Sequence, residues 1–274
     1  IDDLSHGGLG KGELGVVIAP TGAGKSMALV HIGSQAIKEG KTVIHYTLEL
    51  IDTIVAIRYD SCITGIDLKD IFSSKETVRE EIKDLEGQLI IKEYPTKSAG
   101  VNTIHSHLER LRQRDISPDL IIVDYADLLR AKSPNDEKRH QLESIYESLR
   151  GLAQEFKCPM WTASQTNRSG LNAEVVTMES ISEAYNKCFV ADFICSISRT
   201  IQHKNTNSGR MFVAKNRNGP DGIVYPIFMD TSNVKIKVLP QTETYEEIKV
   251  NAVKKQENHL KERYKKFRKE KQKK

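Results

Sequence analysis

The segment Ala19-Pro20-Thr21-Gly22-Ala23-Gly24-Lys25-Ser26 sets two glycines, a lysine and a hydroxyl between an apolar run and a helical pattern. Strand, loop and helix in that order make a P-loop. Glycine lets successive N–H groups turn inward around an anion, and the N-terminus of the next helix adds partial positive charge. Thr21, Gly22, Ala23, Gly24, Lys25 and Ser26 are therefore the expected nucleotide-binding residues. Lys25 is placed to reach the β and γ phosphates, and the Ser26 hydroxyl to bind Mg²⁺. The pattern opens on Ala19 instead of glycine, which a residue ending a strand in β conformation tolerates.

Hydrolysis of a nucleoside triphosphate also needs an acid at the metal and a base that orients water. Asp124 closes Leu120-Ile121-Ile122-Val123, a run too apolar to carry a carboxylate without a use, and is the expected second Mg²⁺ ligand. Glu49, after Val43-Ile44-His45-Tyr46-Thr47-Leu48, is the candidate base, because ligands of open α/β sheets bind beyond the carboxyl ends of the strands. In Ser164-Gln165-Thr166-Asn167-Arg168, the Gln165 amide is the candidate contact to the γ-phosphate or the attacking water. Lys215 and Arg217, two apart on a strand, share a face, and Asn218-Gly219-Pro220-Asp221-Gly222 makes a turn that holds both at a hairpin tip.

These residues need a scaffold, and the hydrophobic pattern supplies one. Short runs rich in Val and Ile predict strands at 14–19, 42–48, 88–94, 120–125 and 160–164, with helices at 25–38, 52–64, 67–85, 102–114 and 136–156. Alternation of this kind predicts an α/β fold with a mainly parallel central sheet flanked by helices. After Asp192 the pattern changes to strand-like runs at 193–199, 210–214, 223–229 and 234–238, read as antiparallel hairpins extending one edge.

The chain has 274 residues and a formal net charge of +4. Residues 249–274 hold twelve Lys or Arg against three Glu, a surplus of nine, so the rest of the chain stands at −5. We read residues 1–240 as one domain and 241–274 as a basic tail, partly helical or disordered, either solvated or contacting nucleic acid or an acidic partner. Cys62, Cys158, Cys188 and Cys195 show no Cys-x-x-Cys pair, and His105 and His107, two apart on a helix, point to different faces. No metal site of Cys and His is expected, and the cysteines are read as reduced packing thiols. No run approaches the roughly 20 apolar residues of a membrane span, and no secretory signal is visible, so a cytoplasmic protein without membrane contact is expected. With Ile1 in place of an initiator Met, upstream sequence is expected.

Taken in order, Thr21 to Ser26, Thr47-Leu48-Glu49-Leu50, Ile122-Val123-Asp124-Tyr125, Ala163 to Arg168 and Lys215-Asn216-Arg217-Asn218-Gly219-Pro220 resemble the motor domain of DnaB-type replicative helicases, which have a RecA-like fold. Ile90 to Pro95 and Trp161-Thr162-Ala163 are further similar to the helicases of tailed phages with large genomes. The resemblance implies a homo-hexameric ring that hydrolyses ATP with Mg²⁺ and moves 5′ to 3′ on single-stranded DNA to unwind duplex. It implies that Glu49 is the base, that Gln165 senses the γ-phosphate and that Arg58 joins the active-site network. It also implies that Lys215 and Arg217 reach into a neighbouring subunit's site. Loops after Asp124 and Gln165 would face the channel, which nominates Arg130, Lys132, Lys138, Arg139, Asn167 and Arg168 for DNA contact through phosphates. A primase, a helicase loader or a single-strand-binding protein is the implied partner, in the cytoplasm of a bacterial host.

Other readings share part of this pattern. A RecA-like recombinase or another RecA-fold ATPase would keep the P-loop, Glu49 and Asp124, but those families do not usually show the Lys215 to Pro220 string. A small-molecule phosphotransferase would leave the Gln165 motif without a purpose. A loading or scaffold protein would bind through the tail.

Overall fold

Leu14–Ala19 is a run of six residues with every side chain buried, the pattern of a strand covered on both faces. The computed structural model of the chain describes residues 7–133, 136–166, 175–176 and 189–241. In chain order the elements are β1 (Leu14–Ala19), α1 (Lys25–Lys38), β2 (Thr42–Thr47), α2 (Asp52–Thr64), α3 (Lys75–Ile82) and β3 (Gln88–Glu93). They continue with α4 (Val101–Arg112), β4 (Leu120–Asp124), α5 (Lys138–Phe156), β5 (Met160–Gln165) and β6 (Phe193–Ser198). Last come α6 (Ile201–Asn205), β7 (Ser208–Asn216), β8 (Ile223–Asp230) and β9 (Lys235–Val238).

The described strands form one sheet in the order β3-β2-β4-β5-β1-β6-β7-β8-β9. Strands β1 to β6 pair in parallel, and β6 to β9 pair antiparallel. The expected α/β architecture is present, with one refinement: β6 is itself parallel to β1, and only the strands after it make hairpins.

Successive strand residues face opposite sides, so the sheet divides the apolar residues into two packed layers. On one side Val16, Ile18, Ile44, Tyr46, Ile121 and Val123 meet α4 and α5 through Ile104, Leu108, Ile145 and Leu149. On the other, Val17, Val43, Ile122 and Ala163 meet α1 and α2 through Ala28, Leu29, Val55 and Tyr59. Gly33, inside α1, sets this second spacing. A Cβ there would overlap Tyr59 Oη and lie 3.0 Å from Ile122 Cδ1, so only glycine lets α1, α2 and β4 approach this closely.

Two elements depart from the periodicity. The helix expected over 67–85 forms only at Lys75–Ile82. Upstream of it, Leu68 N–H donates to Ser232 O at 2.8 Å and Ser232 Oγ to Asp67 Oδ1 at 3.0 Å, and this tether to the turn after β8 holds the segment out of a helix. The five-residue α6, unforeseen, is too short to show a period; Thr200 caps it by accepting from His203 N. Cys62, Cys158 and Cys195 are free and buried. No described helix is long and apolar enough to cross a membrane. Cys188, Asn167, Arg168 and residues 242–274 of the basic tail lie outside the described residues.

Candidate nucleotide site

The sheet order fixes which chain segments meet. β1 ends at Ala19 beside Gln165 of β5, β4 lies next to β5, and Thr47 of β2 pairs with Asp124 of β4. The P-loop, Glu49, Asp124 and Gln165 therefore all lie beyond the same end of the sheet. Gly24, with φ 102°, turns the chain from the loop into α1 in a conformation that favours glycine. Gln165 Nε2 donates to Thr21 Oγ1, which ties the end of β5 directly to the loop.

Glu49 is exposed in a bend just past β2. Thr47 makes the bend: its Oγ1 donates to Leu50 O at 2.7 Å and accepts from Leu50 N at 3.2 Å. Leu48 N–H extends the ladder by donating to Asp124 O at 2.8 Å, and its buried side chain anchors the turn that presents Glu49.

Asp124 is fully buried, and both its carboxylate oxygens lack a hydrogen-bond partner among the described residues. Burial pushes its pKa up to about 6; the Glu49 charge adds to the rise, while Ser26, Lys25 and Arg58 oppose it. Burial lowers the Lys25 pKa, against the pull of Glu49, Asp124 and Asp127, and its ammonium stands 5.3 Å over the Tyr125 ring. Burial likewise lowers Arg58, which feels Asp124 and Glu49. These mutual influences bring Lys25, Ser26, Glu49, Arg58 and Asp124 into one electrostatic neighbourhood. A buried carboxylate with two bare oxygens beside a hydroxyl suits a hard cation, since oxygen donors are what Mg²⁺ takes.

Lys215 and Arg217 lie elsewhere. Gly15 of β1 pairs with Phe193, and Phe193 pairs with Asn216, so the β7–β8 turn sits at the amino end of β1. β1 has six residues, and at roughly 3.3 Å each its two ends are about 17 Å apart. The turn is closed by Asn216 Nδ2 donating to Pro220 O at 3.2 Å, Asn218 N to Asn216 Oδ1 at 3.2 Å and Gly222 N to Val213 O at 2.8 Å. Lys215 Nζ donates to Phe189 O at 2.6 Å and sits 4.8 Å over the Phe189 ring. Arg217 Nη1 pairs with Asp192 Oδ1 at 2.9 Å.

Arg130 and Lys132, after the short turn that follows Asp124, and Lys138 and Arg139, which open α5, are all exposed. Sequence reasoning missed Lys97, whose ammonium donates to Asp127 O and Leu129 O at 2.9 Å and whose pKa burial and Lys138 both lower. It also missed Tyr125, whose hydroxyl donates to Gln165 Oε1 at 3.4 Å, although the residue stands next to Asp124. One metal-type cluster went unforeseen because its members come from two helices. His105, Glu109 and Glu155 bring donor atoms within 4.8 Å. The acids already have partners there, Glu155 hydrogen-bonded with His105 at 2.9 Å and Glu109 paired with Arg112 at 2.7 Å.

A P-loop motif at the end of a mainly parallel sheet, with acidic and amide side chains on neighbouring strand ends, gives the chain a RecA-like fold. The family model for the DnaB-like helicase C terminal domain matches residues 1–235, and the chain belongs to that family. Among curated proteins it is 28% identical over 212 residues to the DnaB-like replicative helicase of Enterobacteria phage T4, covering 73% of this chain and 45% of the relative. It is 26% identical over 244 residues to the replicative DNA helicase DnaB of Geobacillus stearothermophilus, covering 84% and 54%. The chain thus spans about half the length of these relatives. Among solved structures, the ATPase domain of G40P superposes with TM-score 0.72 at 17% identity, covering 87% of this chain and 88% of that one. A DnaB-like replicative helicase, described with its interactions with primase, gives TM-score 0.75 at 18% identity, covering 87% and 61%.

Proposed function

We propose that the chain is the motor unit of a replicative DNA helicase, which hydrolyses ATP with Mg²⁺ and moves along single-stranded DNA as a homo-hexameric ring, 5′ to 3′ by family resemblance. One observation carries this reading. The P-loop and its acidic residues lie at the carboxyl end of the parallel strands, and the Lys215–Arg217 hairpin at the amino end. A protomer therefore cannot bring that pair to its own nucleotide, whereas an adjoining copy in a ring presents it to the next site.

Within a site, the backbone of Thr21 to Gly24 would cradle the phosphates, and Lys25 would bind the β and γ oxygens. Ser26 and Asp124 would hold Mg²⁺, which when bound neutralises charge on those phosphates. Glu49, exposed at the mouth, would take a proton from the attacking water, and Gln165, linked to Thr21, would register the γ-phosphate. Arg58 would balance the two carboxylates beside it. Lys215 and Arg217 of an adjoining copy would stabilise charge on the transferred phosphoryl group. Arg130, Lys132, Lys138, Arg139, Asn167 and Arg168 would hold DNA phosphates in the channel. A primase is the expected protein partner, with a loader or single-strand-binding protein in the same machinery of a bacterial host's cytoplasm.

Mixing tests the shared site. Subunits carrying Arg217→Ala are expected to hydrolyse ATP slowly but measurably alone, and subunits carrying Lys25→Ala not at all. In a mixed assembly some interfaces join an intact P-loop to an intact hairpin, so DNA-stimulated ATP hydrolysis should return. No recovery at any ratio, in assemblies shown to contain both subunits, would overturn the proposal.

A further inference from the structure

The hairpin arginine is held by a buried ion-pair cluster that the nucleotide chemistry does not account for. Asp192, just before β6, is 3% exposed. Its Oδ2 accepts from Leu14 N at 3.0 Å and Arg150 Nε at 3.0 Å. Its Oδ1 accepts from Arg150 Nη2 at 3.0 Å and pairs with Arg217 Nη1 at 2.9 Å. Arg217 is fastened a second time through its backbone, whose N–H donates to Asp192 O at 2.9 Å. One residue thus fixes both the main chain and the guanidinium of Arg217.

The charges in this cluster are unequal. Arg150 from α5 covers both carboxylate oxygens in a fork, the strong form of this pair, and by itself balances the Asp192 charge. Burial raises the Asp192 pKa, but the Arg150 hydrogen bonds, the Leu14 N–H and both guanidinium charges hold it below the usual carboxylate range. Counted against Asp192, Arg217 is the second and less tightly held cation, and Glu13, Glu143 and Glu147 line the clefts on which it opens. Its side chain is 48% exposed, against 24% for Arg150, and it faces a cleft also lined by Lys11 and Glu13. A half-exposed guanidinium, aimed by a buried anion that Arg150 already pairs in a fork, can meet a phosphate without stranding a buried charge.

We propose that Asp192, seated on Arg150, is the positioning residue for Arg217, and that it sets the direction in which the arginine is offered to an adjoining copy's nucleotide. The inference rests on the shared-site reading above. Asp192 touches no nucleotide. It acts through Arg217.

The test is a double-mutant cycle of ATP hydrolysis by the full chain, assembled with single-stranded DNA. In Asp192→Asn, an amide NH₂ must replace one oxygen, and each oxygen position has two donors aimed at it, so either orientation breaks hydrogen bonds. The expected result is a fall in kcat of about tenfold to a hundredfold, the scale of a misplaced catalytic group. The Kd for a fluorescent ATP analogue should stay within about twofold, because the P-loop lies at the other end of the sheet. In an Arg217→Ala background the same substitution should add nothing to kcat. Should Asp192→Asn fail to fold, Asp192→Glu keeps the charge and moves the carboxylate by one methylene, and the same non-additivity is expected. If Arg217→Ala slows hydrolysis but Asp192→Asn does not, or slows it by the same factor in both backgrounds, the positioning role is overturned while the shared site stands. If Arg217→Ala leaves kcat unchanged, both fall.

Discussion

Replacing Asp124 by Asn should make the protein more stable at neutral pH as it abolishes hydrolysis. The carboxyl is fully buried, its oxygens have no partner among the described residues, and its pKa rises from 3.8 to about 6. At about 1.4 kcal/mol per unit, that rise costs the ionised folded state about 3 kcal/mol. The folded carboxyl holds its proton more tightly than the unfolded one, so the cost is fully present above about pH 6 and shrinks as pH falls towards 3.8. Asparagine carries no such charge, although its removal leaves Lys25 and Arg58 without an attractive anion, and we expect a net gain of about 1–2 kcal/mol at pH 7.5. The pH dependence isolates the carboxyl from these side effects. Between pH 5 and pH 7.5 the advantage of the variant should grow by about 1 kcal/mol, because only the interval up to pH 6 separates the two titrations. Urea unfolding of both proteins at the two pH values, in the presence of a chelator, measures this directly. Hydrolysis in Mg²⁺ should fall by at least about a hundredfold. A variant that is less stable at pH 7.5, or an advantage that does not change with pH, would refute the account of Asp124 as an anion held at the expense of stability.

Glu49→Gln is expected to lower kcat by about 10² to 10⁴ with nucleotide affinity kept, and phosphate release at the normal rate would remove Glu49 from the role of base. Gly33→Ala forces a methyl against Tyr59 Oη and Ile122, and the overpacking should cost about 1–3 kcal/mol in urea unfolding; an unchanged midpoint would contradict the close α1–α2 approach. Replacing Arg130, Lys132, Lys138 and Arg139 together by Gln should weaken single-stranded DNA binding and flatten its salt dependence, by about 0.7 in slope for each phosphate no longer neutralised; an unchanged slope would remove these residues from the DNA path.

The end of the sheet proposed to bind nucleotide was legible as a cluster because its motifs are local. The P-loop is eight consecutive residues, and Asp124 announces itself as a carboxylate ending an apolar strand. Strand order did the rest, setting β5 against β1 and β2 against β4, which no periodicity specifies. The misread segment at 67–74 fails for the converse reason. Its sequence is compatible with a helix, but Asp67 and Leu68 answer to Ser232, far away in the chain. Asp192 left no signal at all, since Leu14, Arg150 and Arg217 converge on it from separate elements and nothing in the residues around it differs from an ordinary strand approach. Tyr125 and Lys97 were overlooked for a related reason: each gains its place from a hydrogen bond to another strand end or loop.

In the proposed ring, each nucleotide site is completed by the hairpin of another copy. A single-particle reconstruction of the chain, with a non-hydrolysable ATP analogue and a DNA oligonucleotide, would reveal that arrangement. It should show six copies in a ring, with Lys215 and Arg217 of each against the γ-phosphate held by the next copy's Lys25. Particles in which every hairpin tip faces solvent, or in which nucleotide is bound only by isolated protomers, would contradict it.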